Sequence, residues 1–210
     1  MSNLEQIKWN EYRLVKLRAD SFLEGFDCED EDLNEFILDD AKIYQSQLLA
    51  VTYLLVKPKN IDKLIFDEID FKVEKGDEIA AFFSVFNDKV TVENFDSKSQ
   101  YRKVLKAQGL PHVKRNWKSY PAVKIGRLAV SKPYKHKGIG TALLDYIKTL
   151  FITDNRTGCK FITVDAYRKS LNFYVKNSFI YFSESDISDE TRQMYYPLEV
   201  LLEKADSNFE

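Results

Sequence analysis

The chain has 210 residues and a mass of 24.6 kDa, a length that fits one α/β domain and allows a sizeable hydrophobic core. Apolar residues make up 44% of the sequence and charged residues 30%, with 14% aromatic, which excludes a disordered chain. The formal net charge of -2, taken alone, argues against a polyanionic partner.

The charge is segregated along the chain, however. The segment Ala19–Ala41, called the acidic block below, contains ten acids and neither Lys nor Arg. The segment Ser97–Leu144, called the basic block, contains twelve bases and no acid. The near-neutral total therefore conceals two regions of opposite charge.

Several classes of protein are excluded by composition. Cys28 and Cys159 are too few for a disulfide scaffold, and with only two His they form no metal-ligand spacing, so no metal is predicted. The first ten residues contain no signal-peptide apolar run, and no segment approaches the roughly 20 apolar residues of a membrane span. We therefore expect a cytoplasmic protein without a membrane partner.

The first half of the chain predicts one helix and two strands. Apolar spacing predicts a helix over Asp30–Tyr44, and the almost entirely apolar Leu48–Val56 predicts a strand buried on both faces. A second strand is predicted over Glu78–Phe86, with Asn87-Asp88 as its turn. The segment from about 60 to 120 exceeds a minimal connection and can hold an insertion.

The second half alternates helices and strands. In chain order we predict a basic helix Ser97–Gln108, a strand Pro121–Val130, a helix from about Gly138, a strand Phe161–Val164, a helix Ser170–Lys176, and closing strands Ile180–Phe182 and Met194–Leu202. This order indicates a single α+β domain, residues 1–210, built on a mixed sheet.

A phosphate-binding loop is the strongest chemical signal. The strand ending at Val130 is followed by a basic segment and by two glycines, Gly138 and Gly140, that open an apolar helix. The first turn of a helix has unpaired amides and a partial positive charge, and glycines allow a ligand to approach the backbone. A tight turn that packs a helix on a sheet explains the same pattern equally well.

Two segments resemble motifs of the GNAT superfamily of acyl-CoA-dependent N-acetyltransferases. The segment Lys135-His136-Lys137-Gly138-Ile139-Gly140 resembles the family's Arg or Gln, two residues, Gly, one residue, Gly or Ala, with Lys in the first position. The segment Asn172–Phe179 is similar to the family's Phe-Tyr, three residues, Gly-Phe, with Ser178 in place of Gly. The motifs occur in family order, and Gly140 and Tyr174 are 34 residues apart.

The chain is also similar to the GNAT toxins of toxin–antitoxin systems, which acetylate aminoacyl-tRNA, in Phe26-Asp27-Cys28 followed by Leu33-Asn34-Glu35-Phe36, and in the run Pro121–Val130. The resemblance implies a GNAT-like mixed sheet with a splay between two parallel strands, here Ala122–Val130 and Phe161–Asp165, flanked by helices. It also implies acetyl-CoA as the acyl donor. The cofactor-binding residues it implies are Leu128, Ala129, Val130, Lys135, His136, Lys137, Gly138, Ile139, Gly140, Thr141 and Asn172.

Within that set, the resemblance implies that the backbone of Leu128 and Val130 pairs with the pantetheine arm. It also implies that the loop amides of Lys137, Gly138, Gly140 and Thr141 bind the pyrophosphate. Tyr174 matches the family's general acid, and a phenol with a pKa of about 10 is protonated at neutral pH. A core aromatic is the alternative for Tyr174. No general base is evident; Glu78 and Asp70 are candidates, although solvated charges at strand edges explain both.

The acceptor stays open among three hypotheses. The first is a primary amine on a small molecule or a protein, which the acidic block could attract, unless that block is only a solvated helix face. The second is aminoacyl-tRNA bound by the bases between Ser97 and Lys118, among which Trp117 and Tyr120 could stack on a nucleotide. The third is a non-catalytic acyl-CoA-binding protein. The oligomeric state, a homodimer included, is equally open.

Overall fold

The fold is built on one mixed sheet, in a computed structural model that describes residues 11–60, 71–107, 118–153 and 157–206. Seven strands are ordered β1-β2-β3-β4-β5-β7-β6. In chain order they are β1 (Arg13–Lys16), β2 (Val51–Lys57), β3 (Glu78–Thr91), β4 (Ser119–Val130), β5 (Phe161–Tyr167), β6 (Ile180–Tyr181) and β7 (Thr191–Pro197). The predicted mixed sheet with flanking helices is confirmed.

Six helices accompany the described strands. They are α1 (Glu31–Glu35), α2 (Ala41–Ser46), α3 (Lys98–Ala107), α4 (Ile139–Thr153), α5 (Leu171–Lys176) and α6 (Glu199–Asp206). A π-helical turn, Phe36–Asp40, joins α1 to α2, so the helix predicted over Asp30–Tyr44 is confirmed. None of the helices in the described ranges is long and apolar enough to cross a membrane.

The chain divides into two compact units. The first comprises Met1–Phe86 and Gly126–Asp145. Its core is centred on Phe82, whose ring stacks on Phe36 at 6.1 Å between centroids and meets the edge of Phe26 at 5.2 Å. The helix of the acidic block therefore buries its apolar face in this core, while its carboxylates stay at the surface.

The second unit comprises Asn87–Ile125 and Tyr146–Glu210. Its core is mainly aromatic, and Phe95, Phe161 and Phe182 are among its buried members. Edge contacts at ring-centroid distances of 5.2 Å (Phe95 to Phe182) and 5.8 Å (Phe161 to Tyr195) connect these rings. The large rings supply the apolar area that holds α3 against the sheet in this unit.

The pairing of β4 with β5 is parallel, as predicted. It runs from Ala122 opposite Phe161 to Ile125 opposite Val164. β4 continues beyond Ile125 to Val130, and β5 continues beyond Val164, where its register with β7 extends to Tyr167. The described β4–β5 pairing thus ends while both strands go on, which is the strand arrangement that the resemblance implies.

Three predictions of local structure are wrong. Leu48 does not belong to a buried strand; it is 92% exposed with a φ of 59°, and β2 begins at Val51. Asn87-Asp88 is not a turn, because Asp88 accepts a hydrogen bond from the Thr163 hydroxyl and β3 continues to Thr91. The closing strand predicted to reach Leu202 stops at Pro197, and α6 follows.

The physical reason for the last error lies in the backbone. Proline has no N–H, so Pro197 can end a strand but cannot extend the hydrogen-bond ladder. The chain then turns as the Leu198 amide donates to Lys160 O at 3.1 Å and the Leu201 amide to Leu198 O at 3.1 Å. The apolar residues after Pro197 consequently belong to a helix.

Candidate active site

The predicted phosphate loop connects β4 to α4 in the first unit. β4 ends at Val130, a single 3-10 turn spans Lys132–Tyr134, and α4 begins at Ile139. The first helical hydrogen bond runs from the Ala142 amide to Gly138 O at 3.1 Å. The amides of the first turn, up to Thr141, therefore have no carbonyl partner within the helix, and the turn contains no acid that would offset its positive end.

Backbone conformation keeps this loop open. Gly138 has a φ of 81° and His136 a φ of 60°, both in the left-handed region. A Cβ placed on Gly138 would meet nothing within 4 Å, so glycine is needed here for its left-handed backbone conformation and not to avoid a clash. The same open space leaves room for a ligand. His136 is exposed. Free amides, open space and no carboxylate in the first turn suit the diphosphate of an acyl-CoA.

The lysines of the loop are held by the acidic block. The Lys135 ammonium donates to Cys28 O at 2.7 Å and to the Glu29 carboxylate at 3.0 Å. Lys132 lies 2.9 Å from the same Glu29, and its amide donates to Asp27 O at 2.8 Å. These contacts anchor the loop to the acidic block and compensate the charges of Lys132 and Lys135.

Glu29 is strongly stabilised as a carboxylate by this arrangement. Hydrogen bonds from Lys132 and Lys135, together with their charges, lower the pKa of Glu29 to about 2. Its φ of 62° is held in place by the Asp27 carboxylate, which accepts the Glu29 amide at 2.8 Å. The segments Phe26–Cys28 and Leu33–Phe36, both similar to GNAT toxins, also meet here. Asn34 Nδ2 donates to Asp27 at 3.1 Å, and Asn34 Oδ1 accepts a hydrogen bond from the Cys28 amide.

A second ion pair connects the acidic block to the end of β4. Arg127 lies 3.5 Å from Asp32, and its guanidinium is 5.1 Å from the ring centroid of Phe36. Leu128 and Val130 are half-buried on the same strand, and Ala129 between them packs in the core of the first unit. These three predicted cofactor-binding residues thus form the final strand segment before the loop.

Gly126 is a residue that the motifs did not indicate. A Cβ at this position would lie 2.0 Å from the Phe86 ring, so only glycine allows the strand to pass the aromatic side chain. It directly follows Ile125, where the pairing of β4 with β5 ends. An isolated glycine within a strand pattern was the available signal.

Of the two candidate general bases, Glu78 already has a partner. Its carboxylate accepts a hydrogen bond from the Tyr134 hydroxyl. Burial and this carboxylate raise the pKa of Tyr134, so the phenol keeps its proton. Lys137 lies over the same ring, with its ammonium 5.2 Å from the centroid. Asp70, the other candidate, is outside the described residues, as is Trp117.

Tyr174 and Asn172 lie on α5 in the second unit. The Tyr174 side chain is 6% exposed and makes edge contacts with Phe173 and Phe179, each at 5.2 Å between ring centroids. Burial raises the pKa of Tyr174, which keeps the phenol protonated. Within the described ranges, no other group hydrogen-bonds to its hydroxyl. Asn172 is exposed.

Ser178 preserves the turn for which the family motif has Gly. Its φ is 67°, and its amide donates to Val175 O at 3.0 Å while the Phe179 amide donates to Tyr174 O at 3.0 Å. These two bonds define a Schellman C-cap, which requires a left-handed residue. The backbone of the motif is therefore retained, at the conformational cost of a Cβ.

Lys148 is a second residue that the motifs did not indicate. It is 6% exposed, and its ammonium donates to Asn177 O at 3.1 Å, at the C-terminal end of α5. The ammonium also lies 4.5 Å from the Tyr196 ring centroid. A cation at the C-terminus of a helix is electrostatically favourable, and here it anchors the helix that presents Tyr174. A lysine within the apolar spacing of α4 was the only signal.

Cys159 is unsuited to covalent catalysis. The thiol is free, and burial raises its pKa to about 11, so little thiolate is present at neutral pH. Its Sγ lies 3.4 Å from Phe161 O. A small, partly buried side chain explains this residue.

Comparisons with known proteins agree with this geometry. Residues 103–181 match the family model of the acetyltransferase (GNAT) domain. No curated protein matches the chain in sequence.

The fold is similar to that of solved toxins. A tyrosine-to-phenylalanine mutant of KacT is 18% identical, with a TM-score of 0.68 over 92% of this chain and 98% of that one. AtaTR bound with acetyl-CoA is 19% identical, with a TM-score of 0.66 over 92% and 99%. AtaT complexed with acetyl-methionyl-tRNAfMet is 18% identical, with a TM-score of 0.66 over 91% and 97%.

The predicted resemblance to the GNAT superfamily is confirmed by the domain match over residues 103–181 together with the shared fold. The domain match agrees with the acetyl-CoA-dependent acyltransferase that the resemblance implied, and the AtaTR structure of similar fold contains acetyl-CoA. Residues 103–181 thus match the acetyltransferase (GNAT) domain, within a chain whose fold is similar to that of KacT and AtaT.

Proposed function

We propose that this protein transfers the acetyl group of acetyl-CoA to a primary amine by direct attack, with Tyr174 as the general acid. The observation that carries the proposal is the phosphate loop, with free first-turn amides and a left-handed Gly138 at the start of α4. When bound, acetyl-CoA supplies an activated thioester. The loop amides hold its diphosphate, and the backbone of Leu128 and Val130 accompanies the pantetheine arm.

Tyr174 serves the leaving group. The amine nitrogen forms a bond to the carbonyl carbon, the C–S bond breaks, and the departing sulfur takes the phenol proton. Because burial raises the pKa of Tyr174, the phenol is present in the acid form at neutral pH. The same burial makes the phenolate unfavourable, so Tyr174 regains a proton from the nitrogen that has become an amide.

The acceptor must arrive as a neutral amine. A lysine amine has a pKa of about 10.4 and an α-amine a pKa of about 8, so an α-amine is far more often neutral at pH 7. Since the Glu78 carboxylate is bound to Tyr134, we favour an acceptor that needs little help from a protein base. An α-amine meets this condition best.

A panel of acceptors tests the proposal. Free thiol release from acetyl-CoA is measured with polyamines, amino acids, lysine peptides and aminoacyl-tRNA. We expect turnover with an α-amine acceptor, and a fall in kcat of about 100-fold in Tyr174→Phe with little change in the KM for acetyl-CoA. Tyr53→Phe is the matched control, since its ring stacks on Phe83 in the first unit and has no proposed role.

Two results would contradict the proposal. Release of no thiol with any acceptor, by a protein that still binds CoA, would favour a non-catalytic acyl-CoA-binding protein. Unchanged kcat in Tyr174→Phe would remove the proposed acid while leaving the acetyltransferase activity in place.

Aminoacyl-tRNA is the second candidate acceptor. One observation favours it specifically: the AtaT structure of similar fold contains acetyl-methionyl-tRNAfMet, in which the acetylated group is an α-amine. The assay distinguishes the candidates, because a tRNA acetyltransferase would prefer charged tRNA over the free amino acid. A cytoplasmic location fits both, since Cys28 and Cys159 are free thiols.

A further inference from the structure

A cavity of about 520 Å³ lies in the second unit, and none of its lining residues belongs to the segments assigned to acetyl-CoA. Its walls come from the end of β3 with the following turn, from α3, and from the start of β4. Tyr101, Leu105 and Tyr120 are buried in its floor. A volume of this size is typical of pockets for small ligands.

The cavity is lined by more cations than acids. Four bases surround it, namely Lys89, Lys98, Arg102 and Lys118, against the single carboxylate of Glu93. Across the described part of the chain, none of these four bases has an ion-pair partner. Lys98 and Arg102 are one helical turn apart on α3, so their side chains project on the same side. Four bases against one acid give the cavity a positive potential that favours anions.

The chemistry of the lining defines the class of ligand. Cations can satisfy several oxygens of a phosphate group at once, and a ligand with adjacent phosphates meets more than one cation. A volume of about 520 Å³ accommodates a compact group rather than a duplex. We infer that this cavity is a second anion site, which binds a compact group carrying two or more phosphates.

The phosphates can come from a free nucleotide or from the end of a single-stranded RNA. Both sources present the same chemistry to Lys98 and Arg102. The inference does not depend on the proposed acetyl transfer, since no lining residue belongs to the phosphate loop or to α5.

Calorimetric titration of the full chain tests this site. Inorganic tripolyphosphate is titrated at saturating CoA, so that the loop at the start of α4 is already occupied. We expect saturable binding that weakens steeply between about 0.05 M and about 0.5 M salt, because exposed charges are screened. The Lys98→Gln/Arg102→Gln double variant should bind roughly tenfold more weakly.

The same helix offers a matched control. Lys103 and Lys106 are exposed bases of α3 that do not line the cavity. The Lys103→Gln/Lys106→Gln variant removes the same charge, and its affinity should stay within about twofold of wild type. Equal losses in the two double variants would overturn the assignment, as would the absence of saturable binding in the wild type.

Two further probes identify the source. Titration with ATP and with a short single-stranded RNA is repeated in both double variants. If ATP binds more tightly than the RNA and this binding is lost in Lys98→Gln/Arg102→Gln, the site is assigned to a free nucleotide. Tighter binding of RNA with the same dependence assigns it to an RNA end. Thiol release from acetyl-CoA is also measured in the Lys98→Gln/Arg102→Gln variant. Its retention shows that the proposed acetyl transfer does not depend on the cavity.

Discussion

Two basic regions of this molecule differ in what faces their cations. In the first unit, Arg127, Lys132 and Lys135 are paired with acids of the acidic block. In the second unit, Lys98, Arg102 and Lys118 line a cavity in which Glu93 is the only acid among the described lining residues. Both regions belong to the same stretch of twelve bases, so charge density in the sequence does not predict charge available to a ligand.

The difference teaches how each region can hold an anion. At the start of α4, two loop lysines are compensated, and the free backbone amides are what a diphosphate can use. In the α3 cavity, by contrast, the side-chain charges themselves provide the attraction. Anion binding at the start of α4 should therefore depend mainly on the backbone conformation of the loop. Anion binding in the α3 cavity should depend mainly on the charges of its side chains.

Among the changes that test this comparison, Gly138→Ala has the largest expected effect. A Cβ at a φ of 81° costs about 1–2 kcal/mol, so we expect the KM for acetyl-CoA to rise about tenfold. Lys135→Gln, in the same loop, should change this KM less than about threefold, because its ammonium already bonds Cys28 and Glu29. Steady-state kinetics of the two variants measures both. A larger effect of Lys135→Gln would break the comparison.

Ser178→Gly examines the same backbone conformation where the chain lacks a glycine. Since Ser178 has a φ of 67°, glycine should raise the free energy of unfolding by about 1 kcal/mol. Ser170→Gly is the control, because Ser170 has a φ of -104° and no side-chain capping bond; we expect a loss of about 0.5 kcal/mol there. Urea denaturation of both variants is the measurement. A loss of stability in Ser178→Gly would contradict the assigned strain.

The smallest effect is the pH dependence of Glu29. Its pKa is about 2 in the folded chain and 4.5 ordinarily, so its contribution to stability is complete above about pH 4.5 and disappears as the pH falls through about 2. The difference in unfolding midpoint between wild type and Glu29→Gln should shrink over this window. A difference that is the same at neutral and acid pH would show that the carboxylate is not held by Lys132 and Lys135.

Much of the local structure was predictable from the sequence. The helix of the acidic block, α3, α4 and α5 follow apolar periodicity, and the parallel strands β4 and β5 follow from the motif order. The errors at Leu48 and after Pro197 have a common origin. A short apolar run does not distinguish strand from turn or helix, and the hydrogen bonds that decide it come from distant residues such as Lys160.

The candidate site was predictable only where it follows a motif. Gly138 and Tyr174 occupy motif positions, and their roles remain proposals. Gly126 and Lys148 have no motif, because their importance comes from contacts with Phe86 and Asn177 that only the folded chain creates. Ser178 occupies the Gly position of its motif, and only the structure shows that serine adopts the left-handed turn there.

By itself, the sequence determined the resemblance to GNAT motifs, the order of the elements and the segregation of charge, because these depend on local patterns and motif spacing. Only the tertiary structure decided which charges are paired. Glu29 and Lys135 are more than a hundred positions apart, and no local pattern relates them. The net charge of -2 therefore conceals two kinds of basic region. In the phosphate loop, acids of the acidic block compensate Lys132 and Lys135, whereas in the α3 cavity the cations remain available to an anionic ligand.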